Sequence, residues 1–108
     1  MAYIEKVQAR WNATGVGTNS GVTVTQAAGG QGTRHSVGHI ACSGDTAALV
    51  TIESPASTVL WKKRFAAAFN HSETFDPGLY EAGDNAAVLV KISASTSNCE
   101  ANIAGYTI

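Results

Sequence analysis

At 108 residues the chain has the usual size of one domain and is too short for two. Only 14% of it is charged, against roughly 25% in an average soluble domain, and seven Lys and Arg against eight Asp and Glu leave a net charge of -1. No global field draws such a molecule onto nucleic acid or an anionic membrane, and a surface this poor in charge suits lasting contact with other protein.

The opening Met1-Ala2-Tyr3-Ile4-Glu5-Lys6-Val7 lacks the basic and apolar regions of a secretory signal, and no later run approaches a membrane-spanning length. A soluble protein made in a cytoplasm is expected. Residues 1–20 read as an N-terminal arm: Tyr3 to Trp11 mixes charged and amide side chains with scattered large apolar ones, and a loose Gly, Thr, Asn and Ser stretch follows. Two readings stand. The segment is an edge strand followed by a long loop, or it is an arm whose Tyr3, Ile4, Val7 and Trp11 bury on a neighbouring subunit.

From residue 21 to 108 the grammar is that of strands and turns, with β-branched and aromatic residues alternating with polar ones between Gly, Ser, Asn and Asp clusters. Val22 and Val24 share one face of a strand and Thr23 and Thr25 the other. The run Ala27-Ala28-Gly29-Gly30-Gln31-Gly32 breaks it. Arg34 to Ala41 resumes as a strand, Ser43-Gly44-Asp45 turns the chain, and Thr46 to Glu53 offers Ala48, Val50 and Ile52 to one face before Ser54-Pro55-Ala56-Ser57 ends it. Thr58 to Phe65 places Val59, Trp61, Lys63 and Phe65 on one side, so the Lys63 ammonium must reach water by snorkelling or at the strand's end. Trp61 is assigned to the core.

Phe65-Ala66-Ala67-Ala68-Phe69 fits both helix and strand spacing, and strand is the expectation. Asp76-Pro77-Gly78 reads as a turn, proline presetting one corner and glycine the next, and Glu81-Ala82-Gly83-Asp84-Asn85 as a loop. Val88, Val90, Ile92 and Ala94 line one face of the next strand, opposite Leu89, Lys91, Ser93 and Ser95. The chain closes on Cys99 to Ile108, whose apolar Tyr106 and Ile108 are expected to be tied into a sheet or an interface. The fold class that follows is all-β: a small antiparallel β-sandwich, jelly-roll-like, of about seven to eight strands. Cys42 and Cys99 are too few for a disulfide framework, so two half-buried thiols are expected, with one bridge between neighbouring strands left open.

Chemical constellations are sparse. His35 and His39 are expected on the same side of a strand, ~13 Å apart at ~3.3 Å per residue, too far for one ion to join. No zinc pattern, nucleophile elbow or phosphate loop is present, so neither metal, cofactor nor catalytic residues are expected. Lys62-Lys63-Arg64 alternates between faces and cannot form one phosphate-tracking stripe. The sequons Asn12-Ala13-Thr14 and Asn70-His71-Ser72 carry no weight.

Arg34-His35-Ser36-Val37 through Ser54, and Gly83-Asp84-Asn85-Ala86 through Ile108, resemble small head decoration or cement proteins of tailed bacteriophages. The likeness rests on Ile52-Glu53-Ser54, Val59-Leu60-Trp61-Lys62, Ser93-Ala94-Ser95-Thr96 and the closing Asn102-Ile103-Ala104-Gly105-Tyr106-Thr107-Ile108. It implies a β-sandwich on the exterior of a virion capsid, made in the host bacterial cytoplasm and commonly trimeric. Its partner would be the major capsid protein, and no catalytic residue comes with it. A phage fibre or receptor-binding module that contacts host glycans is the alternative.

Overall fold

The period-two alternation along the chain becomes eight strands, with no helix among the described residues, which are 9–18, 21–55, 57–79, 85–93 and 98–107 of this computed structural model. The strands are β1 (Ala9–Thr18), β2 (Val22–Gln26), β3 (His35–Gly44), β4 (Ala48–Glu53), β5 (Val59–Phe65), β6 (Phe69–Leu79), β7 (Val88–Ser93) and β8 (Asn98–Thr107). They form two four-stranded sheets, sheet A in the order β1-β8-β3-β6 and sheet B in the order β2-β7-β4-β5. Every pairing is antiparallel. Each successive connection crosses between sheets except the β4–β5 hairpin, which is the winding of a jelly roll. The all-β sandwich expected from the sequence is the fold observed.

Between the sheets lies one core. Val37, Ile40 and Ile103 from sheet A meet Val50, Ile52, Val88 and Val90 from sheet B, all at 0% exposure. Burying each such side chain is worth about 1.5–3 kcal/mol relative to leaving it in water, so the alternation that puts them all inward is the main organising force. Lys63 lies opposite the buried Val50 yet is itself exposed. Its ammonium sits 5.9 Å from the centroid of the Phe65 ring at the rim of the core, the snorkelling that its strand position demands.

Four sequence expectations are corrected. His35 and His39 do not share a face, because a register shift between Val37 and His39 inserts one residue, Gly38, into β3. A one-residue bulge turns every later side chain over. His35 therefore points inward and is buried, while His39 points out of sheet A. Asp76-Pro77-Gly78 is not a free turn but an irregular part of β6 opposite that bulge, where Thr74 pairs with His39 and Leu79 with Val37. Proline is tolerated there because β6 is an edge strand. Ala66 to Ala68 form a bend, neither helix nor strand, and across it Phe65 and Phe69 stack with centroids 4.2 Å and planes 10° apart.

The fourth concerns the arm. Residues 9–18 are strand β1 of the sandwich, paired along their whole length with β8, so the edge-strand reading describes them and the sandwich begins well before residue 21. Trp11 is 8% exposed within the chain's own core, not on a neighbour. It lies directly opposite Gly105, its ring tilted 5.5 Å from that of His35. A bare glycine leaves the floor on which an indole can lie. Tyr3, Ile4 and Val7 lie outside the described residues, as do Ile108 and most of the 80–85 loop.

The two flanks of the sandwich close differently. On one, β1 and β2 meet so tightly that a Cβ at Gly15 would stand 2.7 Å from Val24 Cγ2. On the other, between β5 and β6, aromatic rings fill the gap: Trp61 stacks on His71 at 6.2 Å and meets Phe75 edge-on at 5.9 Å. Trp61 is thus half-buried at the rim of the core, not at its centre.

Several buried polar groups find partners across the fold, while Trp11 Nε1, Thr46 Oγ1 and Asn102 Oδ1 are buried without one. His35 bonds through Nδ1 to Thr107 Oγ1 at 2.7 Å and through Nε2 to the Ala27 carbonyl at 2.6 Å, so Nε2 carries the donated proton. The ring thereby ties the 27–34 loop to the last strand. Asn85 fastens the same loop from the other side, its N–H donating to the Thr33 carbonyl and its Oδ1 accepting from Gly30 N–H. Glu53, 5% exposed, accepts from Ser57 N–H at 2.6 Å and from the Thr51 hydroxyl at 3.0 Å, and pairs with Lys91 at 3.3 Å.

Cys42 and Cys99 are buried thiols. Cys42 lies opposite Ala101, and Cys99 opposite Gly44, which makes the two cysteines diagonal neighbours. Diagonal positions stand about 7–8 Å apart, beyond the Cα spacing a disulfide normally bridges. Burial pushes the Cys42 thiol up to about 11 and raises that of Cys99, which starves both of reactive thiolate. Neither is expected to react with a disulfide reagent at pH 8 within the time that unfolded protein in urea reacts fully; equal rates in the two conditions would contradict this burial.

Candidate functional site

The core is filled by apolar side chains, and the outer faces of the two sheets differ in chemistry. On sheet B, Thr23, Lys91, Thr51 and Lys62 form one cross-strand row. Lys62 and Arg64 are exposed on this side. Alternation does split Lys62-Lys63-Arg64, as the sequence implies, but Lys91 from two strands away joins the outward pair. That convergence depends on strand order and has no signature in the linear sequence. Glu53 offsets Lys91, so the face is only modestly basic.

Sheet A presents the opposite character. Its rows run Val16-Glu100-Ser43-Asn70, Thr14-Asn102-Ala41-Ser72 and Asn12-Ala104-His39-Thr74, with Arg10 beside Tyr106 at one end. Small uncharged side chains dominate. Among the described side chains in the rows of its four strands Arg10 and Glu100 are the only Lys, Arg, Asp or Glu, near opposite ends, while exposed Arg34 and Asp45 flank the two ends of β3. Two of the exposed large apolar residues lie here as well, Val16 at 67% and Tyr106 at 38%. The Arg10 guanidinium stands 5.7 Å from the Tyr106 ring centroid, close enough for a cation–π attraction.

A hollow of about 490 Å³ opens beside Tyr106. Gly38, Ala104 and Gly105 leave it without bulk, and Arg10, Asn12, His39 and Tyr106 stand around it. A Cβ on Gly38 would meet only the Ala104 carbonyl at 3.9 Å, so the bulge that turned His39 outward also made this depression. His39 Nδ1 pairs with Thr74 Oγ1 at 3.2 Å. In the next row the Oδ1 of Asn102 is covered within the chain and has no hydrogen-bond partner.

Of the residues expected at an interface, Tyr106 alone lies on this surface; Trp11 lies beneath it, and the others fall outside the described residues. Arg10, Val16, Glu100 and Asn102 are the residues that sequence reasoning missed. The alternation Asn12, Thr14, Val16 against Trp11, Ala13, Gly15 was the available signal, obscured by three glycine and alanine positions on the inner side. The titratable groups scatter. His35 is internal, His39 faces out of sheet A, His71 bonds to Glu73 at 3.0 Å beside Trp61, and Asp45 accepts from Asn98 N–H at the β3–β4 turn. Asp84 and the Asp76 side chain are outside the described residues. Among the described residues no three His, Cys, Asp or Glu gather as metal ligands would. Comparison with protein-family models, with curated proteins and with solved structures finds no match.

Proposed function

We propose that this domain is a non-enzymatic structural module that binds protein through the outer face of sheet A, and that it serves as a bacteriophage capsid decoration protein. What supports the protein-binding half is the make-up of that face: four strands wide, nearly free of charge, and bearing exposed Val16 and Tyr106. Covering such a surface avoids the large cost of burying ionised groups, and its Asn, Ser and Thr side chains would take hydrogen-bond partners from the protein that covers them. The capsid half rests on the sequence resemblance. Jelly rolls recur in viral capsid and in lectin domains, and fold alone does not choose between them. On a particle lattice many copies of one modest contact act together, so retention does not need a large interface.

The second reading, a fibre module that contacts host glycans, draws on the hollow beside Tyr106, where an aromatic ring stands near Asn12, His39 and Arg10. Purified protein mixed separately with undecorated capsids and with host cells separates the two. Sedimentation with capsids is the expected result, and depletion by cells alone would favour the glycan reading.

A further inference from the structure

The outer face of sheet A is polarised along its strands. Arg10 and exposed Arg34 lie at the end where Tyr106 stands, and Glu100 and exposed Asp45 lie at the other. Glu100 is six residues from Tyr106 along β8, roughly 20 Å at a rise of about 3.3 Å per residue, well beyond the ~8 Å over which exposed charges feel one another in physiological salt. The hollow beside Tyr106 therefore opens at the positive end. Among the described residues no Asp or Glu lines it.

Strand order sets its walls. Arg10 and Asn12 stand on β1 and His39 on β3, with β8 between them, so the two sides are separated by two strand spacings of about 4.8 Å each. Between them β8 contributes the small Ala104, the bare Gly105 and the Tyr106 ring. Gly38 brings no side chain to the hollow and pairs in neither register of β3. His39 uses Nδ1 on Thr74. No hydrogen bond or ion pair to another described residue engages its Nε2, the Arg10 guanidinium, the Asn12 amide or the Tyr106 hydroxyl.

We infer that this hollow binds an acidic sugar, a ring bearing a carboxylate, with Arg10 taking the carboxylate and Asn12, His39 and Tyr106 taking ring hydroxyls. The inference rests on the second reading above, from which it takes the hollow as a glycan site, and it names the class of glycan. A guanidinium fork pairs a carboxylate through two parallel hydrogen bonds. The amide, imidazole and phenol groups both donate and accept, as sugar hydroxyls do, and the Tyr106 ring adds a flat apolar wall. At about 490 Å³ the hollow falls within the ~300–1,000 Å³ of small-molecule sites. A carboxylate side chain from a covering protein would satisfy Arg10 and leave the other three groups without partners in a closed space, which is costly.

The test is a chemical-shift titration of the isotope-labelled protein with glucuronate, glucose and acetate. Glucuronate is expected to move the amides of Gly38, Ala104 and Gly105 saturably. Glucose and acetate each lack part of the contact set and are expected to bind about ten-fold more weakly or not at all. Arg10→Gln is expected to lower glucuronate affinity about ten-fold, to the level of glucose. Ala104→Leu, which fills the floor, is expected to abolish binding, and Lys62→Gln on sheet B to change nothing, with circular dichroism confirming that each variant is folded. Equal affinity for glucuronate and glucose overturns the acidic assignment and leaves the glycan reading standing. Acetate binding as tightly as glucuronate overturns both, in favour of a carboxylate supplied by a protein partner. Saturable binding that survives Ala104→Leu, or shifts centred on Lys62 and Lys91, overturns the site. So does the absence of saturable shifts with all three probes, and depletion of the protein by host cells then shows that the glycan reading outlives it.

Discussion

Replacing Glu53 with alanine is expected to lower the unfolding free energy by about 3 kcal/mol, since a buried acceptor that serves three donors leaves them unsatisfied when it goes. The donors are Ser57 N–H, the Thr51 hydroxyl and the Lys91 ammonium. Lys91 is 42% exposed on its side chain and rehydrates easily, so most of the loss comes from the other two. The hydrogen bond from Ser57 N–H does most to hold the Glu53 carboxyl below its ordinary value of 4.5, helped by Thr51 and Lys91 and opposed by desolvation. A carboxyl whose folded value is depressed binds protons more readily in the unfolded chain, so its stabilisation is complete above about 4.5 and drains away as pH falls below it. Urea titrations at pH 7 and pH 3 should show the wild type losing more stability than Glu53→Gln over that interval. Parallel losses would mean that the carboxylate does not anchor the β4–β5 turn.

Gly105→Ala is expected to cost more than about 3 kcal/mol and to leave little folded protein, because overpacking against backbone cannot be relieved by a rotamer change. The added Cβ would run into the Ser36 carbonyl oxygen and stand 3.0 Å from the Trp11 ring, displacing both the β3–β8 ladder and the indole. Gly38→Ala is the matched control from the same corner. Its Cβ enters the open hollow, and its effect should stay within about 0.5–1 kcal/mol, with restriction of the unfolded chain on the favourable side. Thermal melts of the two variants decide the matter; similar melting temperatures would show that Gly105 is not packed as described.

The two glycines also mark how far the sequence could be read. Where one face is buried and the other wet, as at Ala48-Val50-Ile52 and Val88-Val90-Ile92, side-chain polarity repeats every second residue and the strands were legible. At Gly38 the period slips by one, and no change in composition announces it. Plain alternation therefore puts His39 on the wrong face, and the hollow beside it leaves no trace in the sequence. Pro77 misled in a similar way: its local geometry suits a turn, but the free edge of β6 accommodates it inside a strand. The burial of Trp11 is not legible locally because its reason for being internal, a bare Gly105 directly across the ladder, lies 94 positions away in the chain. The make-up of the sheet A face is a property of strand order, built from residues that carry no distinctive chemistry singly.

Each sheet border is unsuited to recruiting an extra strand from outside. The bulge and Pro77 roughen β6, Lys63 and the slip at Ile52/Glu53 do the same for β5, β2 has five residues, and β1 is pressed against β2. Linear polymerisation by hydrogen-bonded ribbons is therefore discouraged all round, and broad surfaces remain as the route to assembly. For the structural module proposed above, that bias would favour finite complexes over fibres.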